Sequence, residues 1–160
     1  MKDITIVEAS SSDIKEITQL FYNTIQAINS KDYPKDEIDD WSSWHTDIDK
    51  WKKRVNEQYF IVAKLDDKIV GFSSLATDGY LDLMFVHKDF QGHGIAKALL
   101  TDIKNKASIQ QNDLIYSDVS ITAKGFFEKH GFEVEKQQLK KSKKKELVNY
   151  RMTKTTNIKT

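Results

Sequence analysis

Two glycines separated by a single residue stand in the run Gln91-Gly92-His93-Gly94-Ile95-Ala96. The chain has only six glycines, so this pairing marks a place where the backbone does something special. An apolar, strand-like run, Tyr80-Leu-Asp-Leu-Met-Phe-Val86, leads into it, and an amphipathic helical pattern leads out. A strand, a glycine turn and a helix start together make an anion-binding device. The first N–H groups of a helix lack intrahelical acceptors, and the helix dipole favours negative charge there. Glycine lets the backbone approach a ligand with no Cβ in the way. The segment reads as a cradle for a phosphate-bearing cofactor. A Gly-x-Gly-x-x-Gly dinucleotide fingerprint is excluded by Lys97 at the third glycine position, and a nucleotide P-loop by the lack of Gly-Lys-Ser/Thr.

Groups able to move protons lie on the strand just before the cradle. Alternation places Tyr80, Asp82 and Met84 on one face and Leu81, Leu83 and Phe85 on the other. A carboxylate among apolar neighbours has a raised pKa and serves as a general base, directly or through water. Asp82 is the first candidate for that role; the alternative is an ordinary polar position on a partly exposed face. Tyr80 is the second candidate. Asp118 is the third, with pairing to a lysine as its alternative. His45, His87 and His130 have no metal-ligand spacing, so no metal is expected. The absence of cysteine excludes a disulfide framework, a cysteine-based zinc site and a cysteine nucleophile, and agrees with a cytoplasmic setting.

These groups need elements to position them. Ile4–Glu8 alternates like a short strand, and Ser11, Ser12 and Asp13 form a helix-start cluster. Apolar residues at three- and four-residue steps predict a helix over 13–29, and two shorter helices follow at about 35–41 and 47–57. Strands are predicted at 59–63, 68–75, 80–86 and 114–119, with a helix over 122–130 capped by Gly131. A last hairpin, 132–138 with 146–152, turns at a lysine-rich tip read as a solvated turn. The order β-α-α-α-β-β-β-α-β-α-β-β is a mixed α/β layout.

At 160 residues the chain fits one domain with a sizeable core. A net charge of +1 points to neither nucleic acid nor membrane as a partner. The start is too short and too charged for a signal peptide, and no apolar run approaches the roughly 20 residues that span a bilayer.

Several segments together resemble the GNAT-type N-acetyltransferases. Gln91-Gly-His-Gly-Ile-Ala96 fits that family's Arg/Gln-x-x-Gly-x-Gly/Ala loop. Val86-His-Lys-Asp-Phe90 resembles its Val-x-Pro-x-aromatic lead-in, with Lys88 where proline is usual. Ile69-Val-Gly-Phe72 resembles its third-strand signature, and Ser120-Ile-Thr-Ala-Lys-Gly-Phe-Phe-Glu-Lys-His-Gly-Phe132 its later Asn-x-x-Ala…Phe-Tyr-x-x-x-Gly-Phe segment. The likeness is strong over 58–153 and rests mainly on helix order over 1–57. It looks closest to a bacterial branch that shares the tryptophan-containing helices and the Tyr-Leu-Asp-Leu strand.

The resemblance implies the acyl-CoA N-acyltransferase fold: a mixed, mostly antiparallel central sheet flanked by helices, in a single domain. An acceptor-side helical region would span about 10–57, an acetyl-CoA-binding core about 58–132 and a C-terminal hairpin about 132–153. It also implies an acetyl-CoA-dependent enzyme, monomer or homodimer, acting on the amine of a small molecule or peptide. Gln91, Gly92, His93, Gly94, Ile95 and Ala96 would wrap the pyrophosphate, with Gln91 giving one charge contact fewer than the commoner arginine. His93 and Lys97 either meet phosphates or are solvated, and Ala96 permits close helix–strand packing. Met84, Phe85 and Val86 would carry the pantetheine arm, with a bulge there aiming N–H groups at the thioester oxygen. Ser120, Ala123, Phe126 and Phe127 would complete the cofactor wall, Ser120 either bonding pantetheine or capping the helix in competition with Thr122. Phe127 stands where many relatives have a tyrosine acid, and phenylalanine has no proton to give. That departure supports an alternative, a catalytically silent acyl-CoA-binding sensor. Phe21, Tyr22, Tyr33, Trp41, Trp44 and Trp51 are candidate lining for the acceptor pocket or plain core. The run Asp36, Glu37, Asp39 and Asp40 either attracts a cationic amine or is solvated.

Overall fold

The structure, a computed structural model, describes residues 3–156. Strand β1 (Ile4–Glu8) leads to three helices, α1 (Ile14–Ala27), α2 (Lys35–Ser42) and α3 (Ile48–Glu57). Strands β2 (Tyr59–Leu65), β3 (Lys68–Leu75) and β4 (Leu81–Val86) follow, then α4 (Ile95–Ile109), β5 (Leu114–Ser120), α5 (Lys124–Lys129), β6 (Glu133–Lys141) and β7 (Glu146–Thr155). Every expected element is present in the expected order. No helix among the described residues is long and apolar enough to cross a membrane.

The strands form two antiparallel sheets, β1-β2-β3-β4 and β5-β7-β6. They meet at one parallel bridge, Tyr80 with Tyr116, and beyond it β4 and β5 diverge. Strand β2 shows why the central strands are apolar throughout. Phe60 and Val62 pack with α1 and α3, while Ile61 and Ala63 pack with α4. Both faces of the sheet are covered, so both sets of alternating side chains are buried.

Each helix follows from its apolar stripe and its cap. In α1, Ile14, Ile17, Leu20, Phe21 and Ile25 are buried. Ser10 rather than Ser11 or Ser12 opens that turn: its N–H donates to Asp13 Oδ2 at 2.9 Å. Helix α3 buries Trp51 completely, against Phe21 at 5.0 Å and Phe72 at 6.0 Å between ring centroids. Helix α4 buries Ile95, Leu99, Leu100, Ile103 and Ala107. Its close approach to the sheet is made at Gly71. A Cβ on Gly71 would lie 2.9 Å from Ile95 Cγ2 and 3.1 Å from the Phe85 carbonyl oxygen.

Strand β4 departs from simple alternation. Ser74 pairs with Leu83 and Leu75 with Leu81, which leaves Asp82 as an extra residue bulged from the ladder. The bulge reverses the phase of the strand. Leu81 packs in the same cluster as Met84 and Val86, on the α4 side, while Leu83 and Phe85 pack on the α1 side. The expected single face of Tyr80, Asp82 and Met84 does not form.

The C-terminal hairpin is longer than expected, and its tip is docked rather than solvated. The backbone N–H groups of Lys143, Lys144 and Lys145 all donate to the Asp40 carboxylate, at 2.9, 3.1 and 3.2 Å. Trp44 Nε1 donates to Ser142 Oγ at 3.0 Å and the Tyr33 hydroxyl to the Val148 carbonyl at 2.6 Å. Within the smaller sheet, Asp118 on β5 accepts from Arg151 Nε on β7 at 2.8 Å and from Gln138 Nε2 on β6 at 2.8 Å, and it pairs with Lys140. One carboxylate thus ties three strands together.

Two outcomes follow from this packing. Gly71→Ala overpacks the α4–β3 contact and lowers unfolding free energy by roughly 1–3 kcal/mol, measured by urea denaturation. Burial pushes the Asp118 carboxyl up, but hydrogen bonds from Arg151 and Lys140 outweigh it and hold the group well below the usual carboxylate range. Its contribution to stability is complete above an unfolded-state pKa of about 4 and is lost as pH falls below that. Wild type therefore loses stability below about pH 4 more steeply than Asp118→Asn, in denaturant melts at stepped pH; parallel curves would remove this assignment.

Candidate functional site

A single cavity of about 670 Å³ occupies the gap where β4 and β5 part. It runs from the glycine loop, past the exposed edge of β4, to the N-terminal helices and the β6 end of the hairpin. Most of the residues singled out from sequence come together around it.

At one end, Gly92 (φ 75°) and Gly94 (φ 78°) hold left-handed conformations, and an added Cβ at either would meet nothing within 4 Å. Gly94 is the N-cap of α4, so the opening N–H groups of the helix, those of Ile95, Ala96 and Lys97, lie along the cavity lining. The Ile95 side chain itself is in the core, so it can offer a ligand only its backbone. Gln91 is spent on the protein: its Nε2 donates to the Val86 carbonyl at 2.8 Å. His93 is turned to Gln91, with Nδ1 2.8 Å from its carbonyl, and is absent from the cavity lining. Lys97, Lys129 and His130 do line this end. The His130 pKa is held below its ordinary value by burial and then by Lys104, Lys129 and Lys97, which reports a local positive potential.

Along the middle run Met84, Phe85 and Val86 on one wall and Ser120, Ala123, Phe126 and Phe127 on the other. Ser120 acts as the turn cap, its Oγ accepting the Ala123 N–H at 3.1 Å, whereas Thr122 donates to Asp32 at 2.8 Å. Phe127 is buried edge-on to Phe126 and Phe132, a packing wall shared between core and cavity. Serine hydroxyls from both flanking strands donate to carbonyls of the distorted β4: Ser73 to Leu83 and Ser117 to Leu81, each at 2.7 Å. Thr24 does the same for Val86 at 3.0 Å. Asn29 also lines the cavity. It is 6% exposed, and its carboxamide has no hydrogen-bond partner among the described residues.

At the other end, Asp82 meets polar partners in place of the apolar neighbours expected. Arg54 Nε donates to its Oδ2 at 3.1 Å and Gln58 Nε2 to the same oxygen at 3.0 Å. Both bonds fall on Oδ2, so Oδ1 has no partner among the described residues. Asp82 also borders a second, smaller cavity on the α3 side, shared with Gln58, Glu57 and Thr77. The Tyr80 hydroxyl donates to Asp118 Oδ2 at 3.2 Å. Burial, then the charges of Asp118 and Asp82, push its phenol far above the ordinary range. Tyr80 is thus held protonated and acts as a donor rather than a base, and Asp118 is spent on the pairing that was its alternative.

Phe21, Tyr33, Trp41 and Trp44 line this end, whereas Tyr22 and Trp51 do not. None of the acidic residues Asp36, Glu37, Asp39 and Asp40 reaches it. Sequence reasoning passed over Lys50, Arg54 and Gln58. Their four-residue spacing places Lys50 and Arg54 on one face of α3, with Gln58 just past the helix end, a signal that has meaning only once that face is known to meet β4.

The family described as Acetyltransferase (GNAT) domain matches residues 29–154. The protein described as uncharacterized N-acetyltransferase YafP, of Escherichia coli (strain K12), is 31% identical over 138 residues, covering 86% of this chain and 87% of that protein. Among solved structures, a GCN5-related N-acetyltransferase from Rhodopseudomonas palustris superposes with a TM-score of 0.93 at 24% identity, covering 97% of each chain. The PaiA N-acetyltransferase of Thermoplasma acidophilum, solved with coenzyme A, gives 0.80 at 19% identity over 96% of this chain and 99% of its own. The two structural likenesses establish the fold. The family match over most of the chain, joined by a relative sharing nearly a third of its residues, makes this protein a member of the GNAT acetyltransferase family.

Proposed function

We propose that the protein is an acetyl-CoA-dependent N-acetyltransferase that acetylates the amine of a small molecule by direct attack on the thioester. The observation that carries this reading is the continuity of one cavity from the Gly92–Gly94 loop to Asp82. The residues fit the donor. Two left-handed glycines with open space before them and a helix N-terminus suit a pyrophosphate. Lys97, Lys129 and His130 suit phosphate charge, and the apolar wall of Met84, Phe126 and Phe127 suits a thin, uncharged arm. The PaiA protein, of the same fold, was solved with coenzyme A.

Acetyl-CoA supplies an activated acyl group on a good leaving thiol. The protein positions the acceptor amine and takes its proton. Asp82 is the base in this reading. Arg54 and Gln58 anchor one carboxylate oxygen, and the free Oδ1 accepts the proton directly or through water. The smaller cavity beside Gln58 and Glu57 gives that proton a route to solvent. Phe127 gives no proton to the thiolate, and Tyr80, whose hydroxyl already donates to Asp118 and whose phenol is pushed far above its ordinary range, is a poor acid, so the thiolate takes its proton from water. The buried Phe127 also favours the second reading, a sensor that binds acyl-CoA without turnover. Thiol release from acetyl-CoA over a panel of amines separates the two: acceptor-dependent release supports transfer, and saturable CoA binding with no release on any amine supports the sensor.

Gly94→Asp places a charged side chain in the cradle and weakens CoA binding roughly a hundredfold or more, by about 2.7 kcal/mol, in isothermal titration. The added atoms meet open space, so the only structural cost is the left-handed backbone at φ 78°, and the melting temperature falls modestly while the fold is kept; retained affinity would count against the loop assignment. Asp82→Asn lowers kcat by about 10²–10⁴ with CoA affinity little changed, and an unchanged rate would remove Asp82 as the base.

A further inference from the structure

The acceptor end of the cavity holds more positive charge than its carboxylates offset. Lys50 and Arg54 reach it from α3, and Lys140 and Lys141 from β6. The carboxylates there are Asp82 and Asp118, and both are already compensated. Asp82 is paired with Arg54, and Asp118 with Lys140 and Arg151. That leaves Lys50 and Lys141 in surplus. The Lys50 ammonium sits 3.9 Å from the centroid of the Trp44 ring, and no carboxylate lies within ion-pair distance of it among the described residues. Its pKa is lowered, first by burial and then by Arg54, with Asp82 and Asp47 opposing and Lys140 adding to the fall. The acidic run of α2 does not balance this charge: none of its four members lines the cavity, and three are engaged elsewhere, Asp36 with Lys145 at 3.3 Å, Asp39 with Lys35 at 3.2 Å, and Asp40 with the hairpin backbone.

Taking this cavity as the acetyl-transfer site, we propose that its acceptor is a small amine that also carries an anionic group, a carboxylate or a phosphate. The anion sits against Lys50 and Lys141 beside the Trp44 ring, and the amine faces Asp82. An anion here gains the attraction of two cations that have no ion-pair partner among the described residues. The same cations disfavour a second positive charge, so polyamines and basic peptides are poor acceptors. They also disfavour protonation of the bound amine, which must be neutral to attack.

The test uses matched acceptors with the CoA-saturated protein, followed by tryptophan fluorescence, since Trp41 and Trp44 both line this end. β-Alanine is compared with propylamine, phosphoethanolamine with ethanolamine, and spermidine serves as the polycation. At least one anionic amine binds roughly tenfold or more tighter than its match without the anionic group, and the preferred pair tells carboxylate from phosphate. Lys50→Glu abolishes that preference, and Lys50→Arg keeps it. Equal or tighter binding of the amines without an anionic group or of spermidine overturns the proposal. So does a preference untouched by Lys50→Glu, or no saturable binding of either anionic probe at millimolar concentration. Thiol release from acetyl-CoA is followed in parallel. Selective anion binding without release would sink acetyl transfer while leaving the anion site standing.

Discussion

The bulge at Asp82 is the constraint on which the rest of the site depends. One unpaired residue in β4 changes which face every later side chain of that strand occupies. It sends Leu81 toward α4 and Leu83 toward α1, and it turns Asp82 to Arg54 on α3 and Gln58 just past its end. Just before it, β4 is still bridged to β5 through Tyr80 and Tyr116; just after it the two strands separate. A sheet that opens in this way exposes backbone groups that would otherwise be paired. The hydroxyls of Ser73, Ser117 and Thr24 answer part of that demand by donating to β4 carbonyls. The cavity is therefore a gap that the sheet keeps open, with its polar groups partly satisfied from within.

The far wall of that gap is held by a different set of contacts. The three N–H groups at the hairpin tip converge on Asp40, an arrangement like a helix N-terminus meeting a capping carboxylate. Tyr33 extends the same contact deeper: its hydroxyl donates to the Val148 carbonyl and accepts the Ile121 N–H at 2.9 Å. Burial raises its pKa to about 12, so it stays a neutral donor–acceptor between helix and hairpin. The N-terminal helices and the C-terminal hairpin thus close the acceptor end by polar contacts at their rim, while the apolar clusters lie on the two faces of the sheet.

Much of this was legible in the sequence, and the gaps have physical reasons. Element order followed from periodicity because both faces of the main sheet are buried and the helices carry clean apolar stripes. The glycine loop was legible because a left-handed backbone has few other occupants. The side-chain phase of β4 was not: the family resemblance implied a bulge at Met84–Val86, whereas the ladder breaks at Asp82, and simple alternation assumes an unbroken ladder. The hairpin tip read as solvated because its lysines dominate the composition, whereas the docking is done by their backbone. Gln91 and His93 matched a loop pattern by position, yet their side chains turn back to Val86 and to the loop's own carbonyl. Position in a motif fixed where the backbone goes and left the side-chain role open.

The charge arrangement along the cavity has its own logic. Cations gather at both ends, Lys97, Lys129 and His130 by the glycine loop and Lys50, Arg54, Lys140 and Lys141 by the helices, while the stretch between is walled by Met84, Phe126 and Phe127. Like charges at opposite ends of one channel repel less than they would if clustered, and each end retains a demand for an anion. The middle has a lower dielectric, so the few polar groups bordering it act more strongly than the same groups in water. Asp82 stands at the boundary between the apolar stretch and the cationic end, with one oxygen pinned and one free. A group placed there is close enough to the dry region to interact strongly, and near enough to the second cavity to exchange a proton with solvent. The bulge that opened the sheet is also what puts that carboxylate at the boundary.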